Sequence, residues 1–515
     1  MLSLEHKNDY FYLTCNRGKS QGGMKIYADF TGGERAENVE RKRPYSSAFS
    51  ATQRGEKPEG SGRKSQEVER CIMNRTAALH NLGCKVNAYE TEVMQQMLTD
   101  AGYTIVPFHE KADVYIINTC SVTNMADKKS RQMISRARKT NPEAVVAAAG
   151  CYVQAAGDQL LEELSLDLVI GNNKKKDLVA ILDEFFISKG HQSYIVDLMH
   201  TKEYEEMKME RSAEHTRAYI KVQDGCNQFC SYCIIPFTRG RVRSRRPEDV
   251  REEIEGLCNA GYQEFVLTGI HLSSYGVDFS EDKKPHLLDL IRLIDSIDGV
   301  KRIRLGSLEP GIITEEFARA LHELDSFCPH FHLSLQSGCN TTLRRMNRRY
   351  TAEEYAEKCE ILRKVFNAPA LTTDVIVGFP GETVKDFEEC HAFLKKICFY
   401  ETHIFKYSRR QGTKAADMPD QIPESIKGDR SHVLLKLHEQ NKTAYIRQFI
   451  GQPLEVLFEE KIEVDGESMW SGYSREYIRV LWKTTENLEN KLYKVTAQTT
   501  DTKEEALIVA EGETL

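Results

Sequence analysis

AYIKVQDGCNQFCSYC, residues 218–233, reads as an apolar strand running straight into a loop that carries Cys226, Cys230 and Cys233. The Cys-x3-Cys-x2-Cys spacing puts three thiols close enough to reach three corners of a cubic iron–sulfur cluster. Such a cluster normally takes four cysteine thiolates, so three leave one iron open, as a catalytic zinc keeps an open position. Two other readings compete: a zinc site, for which no fourth ligand stands nearby, and incidental cysteines.

Working outward toward the C-terminus, the strand is the first of a series. EFVLTGI, RIRLGSL, HFHLSLQS, LTTDVIVGFPGE and THIFKYS follow as strands, and helical segments such as EDVREEIEGLCNAG and TAEEYAEKCEILRKV separate most of them. That makes six strand–helix units, short of the eight of a complete (βα)8 barrel. KGDRSHVLLKLHEQNKTAYIRQFI reads as a connecting helix. After Gly451 the short segments PLEVLFEE, REYIRVLW, KLYKVTAQTT and EEALIVAEG are spaced like a small β-barrel.

Toward the N-terminus a second α/β pattern appears. TAALHNLGC, DVYIINTC and AVVAAAGC read as strands, separated by helices that include the basic MADKKSRQMISRARKT, stopped at Pro142. Alternation of this kind implies a parallel sheet. Cys84, Cys120 and Cys151 each stand where one of these strands ends, and open α/β sheets bind ligands outside the carboxyl ends of their strands. Three thiols are therefore expected to converge at one sheet edge. The competing reading, three buried core cysteines, would place them inside strands rather than at their ends.

The fold class is thus α/β and multidomain: a parallel α/β domain over 73–205, a partial (βα)6 barrel over 212–440 and a small β-barrel over 443–512. Within residues 1–72, the stretch 31–70 lacks helical or strand periodicity and is rich in Gly, Ser, Arg, Lys and Glu. Residues 1–72 read as a disordered arm or a non-native extension, with Met73 as an alternative start. The chain has 515 residues, 40% of them hydrophobic, a net charge of -7 and 14 cysteines. Cysteine is too sparse for a disulfide scaffold. No apolar run approaches the ~18 residues of a membrane span, and the N-terminus has no signal-peptide core. A cytoplasmic protein without membrane attachment is expected. Cys258, Cys359, Cys390 and Cys398 read as helix or core residues.

Cys-x3-Cys-x2-Cys after the first strand of a six-unit parallel barrel resembles the radical S-adenosylmethionine (SAM) superfamily. The resemblance implies a 4Fe–4S cluster on Cys226, Cys230 and Cys233, SAM chelating its open iron, and a 5′-deoxyadenosyl radical formed on reduction. It also implies SAM contacts from Thr268 and Gly269 after the second strand, Gln336 and Ser337 after the fourth, and Asp374 and Gly378 on the fifth. Thr268-Gly269-Ile270 departs from the common Gly-Gly-Glu form.

With Cys84, Cys120 and Cys151 added, the chain resembles the radical SAM methylthiotransferases, and the C-terminal barrel resembles their RNA-binding TRAM domain. That implies two 4Fe–4S clusters, replacement of a C–H hydrogen by a methylthio group, and an electron donor such as flavodoxin or ferredoxin. Lys85-Val86-Asn87 and Ser307-Leu308-Glu309-Pro310 look most like the branch acting on N6-threonylcarbamoyladenosine 37 in the tRNA anticodon stem-loop. The alternatives are the branch acting on isopentenyladenosine 37, and a non-catalytic RNA-binding protein stabilised by metal. Arg239, Arg241, Arg243, Arg245 and Arg246 lie within eight residues without an acid and are expected to meet RNA phosphates. Arg344, Arg345, Arg348 and Arg349, then Arg409, Arg410 and Lys414, form further sets after the fourth and sixth strands. Tyr232 and Phe237 could stack on a splayed base.

Overall fold

The computed structural model describes residues 75–210, 216–280 and 285–515. The expectations for residues 1–72 and Met73 lie outside the described residues.

Six parallel strands open the described chain: Thr76–Asn81 (β1), Thr104–Ile105 (β2), Val114–Thr119 (β3), Val145–Gly150 (β4), Leu168–Ile170 (β5) and Gln192–Tyr194 (β6). Their order is β2-β1-β3-β4-β5-β6. All six residues of β3 and all six of β4 are buried, and both read as mostly apolar runs, because helices cover both faces of a parallel sheet. The basic helix Asn124–Thr140 follows β3. Thr123 caps it by accepting from the Ala126 N–H, Asp127 lies in its first turn and Arg138 and Lys139 in its last, each suited to the helix dipole.

The second sheet system has Arg217–Asp224 (β7), Arg243–Ser244 (β8), Glu264–Gly269 (β9), Arg302–Leu305 (β10), His330–His332 (β11), Ala370–Val377 (β12) and Glu401–Lys406 (β13). β7, β9 and β10 pair in parallel, as do β11, β12 and β13. Single parallel bridges, Ile303 to Phe327 and Leu308 to Leu333, join the two groups into one six-stranded partial barrel. β8 adds antiparallel beside β7; it was not legible as a strand because it is two residues long. The parallel first domain packs against the elements at both ends of this series. Its helix Lys85–Asp100 packs on β7, while Arg410 after β13 pairs with Asp127 at 2.6 Å.

After the helix Glu424–Arg447, five strands close a barrel: Pro453–Val464 (β14), Glu467–Ser474 (β15), Arg479–Trp482 (β16), Lys491–Asp501 (β17) and Ala506–Thr514 (β18). β15 escaped the sequence reading because ESMWSGYS lacks the alternation of β-branched and polar residues; pairing with β14 and β16 makes it a strand.

This barrel docks at the N-terminal ends of the core strands. Glu264, the first residue of β9, is buried between Arg304 (2.7 Å), Arg302 (3.4 Å) and Arg217 (3.9 Å). Arg302 donates to the Glu455 and Tyr473 carbonyls, and Arg304 to those of Ser474 and Arg475. The GYSREY segment, 472–477, therefore serves domain docking. These arginines hold the Glu264 carboxyl down at about 2, against an ordinary value of 4.5. A depressed folded-state pKa contributes stability that is fully present above the unfolded value and is lost as pH falls through the folded one. Docking should accordingly weaken from pH 4.5 toward pH 2. Limited proteolysis of the 447–453 junction should report this, and Glu264→Gln should remove most of the pH dependence.

Candidate metal centre

Three cysteines gather at the carboxyl edge of the first sheet. Cys84 lies just past β1, Cys120 directly follows β3, and Cys151 directly follows β4. Gly83, at φ +109°, makes the sharp entry to Cys84, and a Cβ there would stand 2.8 Å from the Cys120 sulfur. Only glycine fits that conformation and that space. Burial pushes the Cys120 thiol up to about 12, and the neighbouring Cys151 and Cys84 sulfurs push the same way.

The second set stands at the carboxyl end of β7. Gly225, at φ +72°, turns the chain into Cys226 with the Arg241 carbonyl only 1.9 Å from where a Cβ would sit. Burial raises Cys226 to about 11 and Cys233 to about 12, with Cys230 adding to both. Thiols held protonated this firmly give up their protons when a metal replaces them.

Both donor sets consist of three thiols, which fits a cluster whose irons take thiolate ligands. Among the described residues, the groups whose ligand atoms all lie within 4.8 Å of one another are His332, Asp374 and His403, and Cys339, Asp386 and Glu389. Both cysteine sets are also furnished with donors to sulfur. The Gln228 N–H donates to Cys226 (3.4 Å) and Arg348 to Cys230 (3.3 Å). Arg239 donates to Cys151 at 3.3 Å, and Asn172 reaches the same sulfur at 3.6 Å.

Charge near Cys151 points the same way. Glu90, fully buried on the helix Lys85–Asp100, holds Lys175 (2.6 Å), Lys221 (2.7 Å) and Arg239 (2.5 Å). Asp224 pairs with Lys221 (2.8 Å), Arg239 (3.2 Å) and Arg243 (3.7 Å). Four buried cations face two carboxylates, and Arg243 keeps Nε and Nη2 without hydrogen-bond partners. A buried surplus of positive charge is costly unless an anionic group offsets it. A thiolate-ligated iron–sulfur cluster is such a group.

The expectation that Arg239, Arg243 and Arg245 meet RNA phosphates is corrected. Arg239 is 0% exposed, and Arg243 and Arg245 are 1% exposed. Arg245 is paired with Glu253 and Glu206. Arg241 and Arg246 are exposed, with Arg241 lying 4.7 Å over the Phe229 ring. Of the later sets, Arg348 is tied to Glu309 (2.7 Å) and Arg410 to Asp127, leaving Arg344, Arg349, Arg409 and Lys414 at the surface. Tyr232 packs against Phe379, whereas Phe237 is 49% exposed.

Of the residues implied in SAM binding, Thr268, Gly269, Gln336, Ser337 and Gly378 lie at or just past the carboxyl ends of the core strands. Thr268 and Gly269 end β9, where Gly269 leaves room for the Gln223 side chain. Gln336, at φ +69°, bridges to Val375 beside β12, and Ser337 is buried next to it. Gly378 gives space to Lys427, whose Cγ would lie 2.2 Å from a Cβ, so helix packing already accounts for that glycine. Asp374 instead bonds within a lumen cluster: His332 Nε2 stands 3.3 Å from its Oδ2, and His403 stacks on His332 at 5.5 Å. Sequence reading missed this cluster, because its three members come from three strands. It also missed Glu90, for which a signal existed: an acid on the apolar helix face carrying Val86, Tyr89, Val93 and Met94.

Comparison with known proteins agrees with this geometry. Residues 76–171 match the uncharacterized protein family UPF0004, and residues 220–394 match the radical SAM superfamily. A threonylcarbamoyladenosine tRNA methylthiotransferase of Bacillus subtilis (strain 168) is 42% identical over 82% of this chain and 93% of its own. The chain belongs to the radical SAM tRNA methylthiotransferases. Its Aquifex aeolicus (strain VF5) relative, also named a threonylcarbamoyladenosine tRNA methylthiotransferase, is 37% identical over 78% of this chain and 99% of its own. A tRNA-2-methylthio-N(6)-dimethylallyladenosine synthase of Moorella thermoacetica is 35% identical over 82% and 95%. Radical SAM membership implies a 4Fe–4S cluster and SAM, and the enzyme is a transferase of methylthio groups. Among the described residues, no helix is long and apolar enough to cross a membrane.

Proposed function

We propose that this methylthiotransferase converts N6-threonylcarbamoyladenosine 37 of tRNA to its 2-methylthio derivative. The observation that carries the reading is the pair of cysteine triplets, each at the carboxyl ends of its strands, in a chain with Lys85-Val86-Asn87 and Ser307-Leu308-Glu309-Pro310. The greater identity to relatives named for threonylcarbamoyladenosine favours that substrate over dimethylallyladenosine.

In this reading Cys226, Cys230 and Cys233 hold the SAM-binding cluster, and Cys84, Cys120 and Cys151 hold a second. When bound, the clusters and SAM supply the electron, the hydrogen-abstracting radical, the methyl group and the anchorage for sulfur. The chain's own residues orient and insulate them. Arg348, fixed by Glu309, donates to Cys230; Arg239, fixed by Glu90 and Asn87, donates to Cys151. Thr268, Gln336 and Ser337 line the SAM side, and exposed Phe237 offers a ring to the flipped base. Residues 73–205, 212–440 and 443–512 serve as the second-cluster domain, the radical core and a TRAM-like RNA-binding barrel. A cytoplasmic location and reduction by flavodoxin or ferredoxin complete the reading.

Mass spectrometry of tRNA nucleosides tests it. Adding the gene to a host lacking this modification should create 2-methylthio-N6-threonylcarbamoyladenosine. Appearance of only the isopentenyladenosine product would reassign the substrate, and appearance of neither would sink the reading.

A further inference from the structure

Three of the five expected arginines are buried, which leaves only Arg241 and Arg246 of that run at the surface. The helix Asn124–Thr140 carries a second, denser set of exposed positive charge. Lys128, Arg131, Gln132, Ser135, Arg136 and Lys139 are exposed along one face and line a shallow groove with Thr140. The spacing i, i+3/i+4, i+7/i+8, i+11 aligns them on a single side. Lys128, Arg131, Arg136 and Lys139 make no ion pair with a described residue, although the chain as a whole is acidic at -7. The helix's one acid, Asp127, is taken by Arg410.

The placement matters as much as the charge. The helix starts four residues after Cys120, and its first turn is fastened to the loop beyond β13. There the Asn124 N–H donates to Ser408 Oγ (3.1 Å), and its amide donates to the Arg409 carbonyl (3.0 Å). From that anchor its 17 residues run about 25 Å away from the cysteine edge, down the side of the first sheet. A nucleic acid with one nucleotide at the cysteine edge would have its neighbouring backbone over this face. From Lys128 to Thr140 the groove is lined by polar and charged side chains, with exposed Met125 one turn before it and Arg131 lying over the Tyr152 ring, whereas the centre of a protein–protein interface is enriched in aromatic residues and depleted in lysine.

We infer that the Lys128, Arg131, Arg136 and Lys139 face is the docking surface for the phosphate backbone of the substrate tRNA, beyond the modified nucleotide. This rests on the tRNA reading above. The test is a salt series of tRNA binding to the full reconstituted chain, comparing wild type with the Lys128→Ala, Arg131→Ala, Arg136→Ala, Lys139→Ala combination. Alanine keeps helix propensity high, and iron content together with far-ultraviolet circular dichroism checks the fold. Four lost phosphate contacts should cut the slope of log K against log salt by about 3 and weaken binding at least about tenfold. An unchanged slope and affinity would overturn the inference. So would unchanged RNA affinity with turnover lost under flavodoxin but not under dithionite, which would assign the face to an acidic electron-transfer protein. Absence of tRNA binding by the wild type would overturn the tRNA reading itself, and the surface with it.

Discussion

Cys230→Ala is expected to abolish SAM cleavage, while Cys120→Ala should leave cleavage standing and abolish methylthiolation. The asymmetry follows from where the thiols lie. Cys226, Cys230 and Cys233 close one loop after β7, and Cys84, Cys120 and Cys151 converge from three strands of a different sheet. Each set can offer three corners to its own cluster. Anaerobic reconstitution of the wild type should give about eight irons, and each variant about four. 5′-Deoxyadenosine formed on reduction measures cleavage, and nucleoside mass spectrometry measures sulfur insertion. A Cys120→Ala chain that still methylthiolates would end the two-cluster proposal.

Glu90→Ala should be the most damaging change outside the cysteines. Glu90 is fully buried and accepts from Lys175, Lys221 and Arg239, the first on its own domain and the other two on the core. Burial alone would raise its pKa, but Arg239, Lys175 and Lys221 hold the carboxyl well below the usual range, so it is ionised near neutrality. Removing it leaves three buried cations short of a partner, which costs about 3–5 kcal/mol. Arg239 would also lose the carboxylate that aims it at Cys151. Urea unfolding should shift to lower midpoint, and iron at the first triplet should fall. Glu90→Gln, which keeps an acceptor but no charge, should lie between. An unchanged midpoint with full iron would mean that the network contributes neither to stability nor to the site.

Local signals in the chain carried the strands and the thiols. β3 and β4 are buried on both faces and therefore write themselves as apolar runs, and each cysteine abuts the strand that positions it. Parallel pairing brings such strand ends to one edge, so Cys84, Cys120 and Cys151 could be grouped although 36 and 31 residues separate them. Membership of the core barrel was legible for the same reason. β8 and β15 were not, because one is too short to show a period and the other owes its conformation to neighbours on both sides.

The basic run 239–246 marks the limit of local reading. A row of arginines has the same appearance whether it faces water or an acid brought in from elsewhere. The partner of Arg239 is Glu90, 149 residues away, and no pattern around either residue announces the other. The His332, Asp374 and His403 cluster is hidden likewise, each member being an ordinary residue on its own strand. The longer strands and helices, and the strand-end positions of the six cysteines, can be read along the chain, since hydrophobic period and strand-end position are properties of adjacent residues, whereas short strands such as β2, β5, β6 and β8 show no period. Which charges stay open to solvent cannot be read that way. Availability depends on burial and on partners from distant segments, and those are set when the sheets, the helix Lys85–Asp100 and the C-terminal barrel come together.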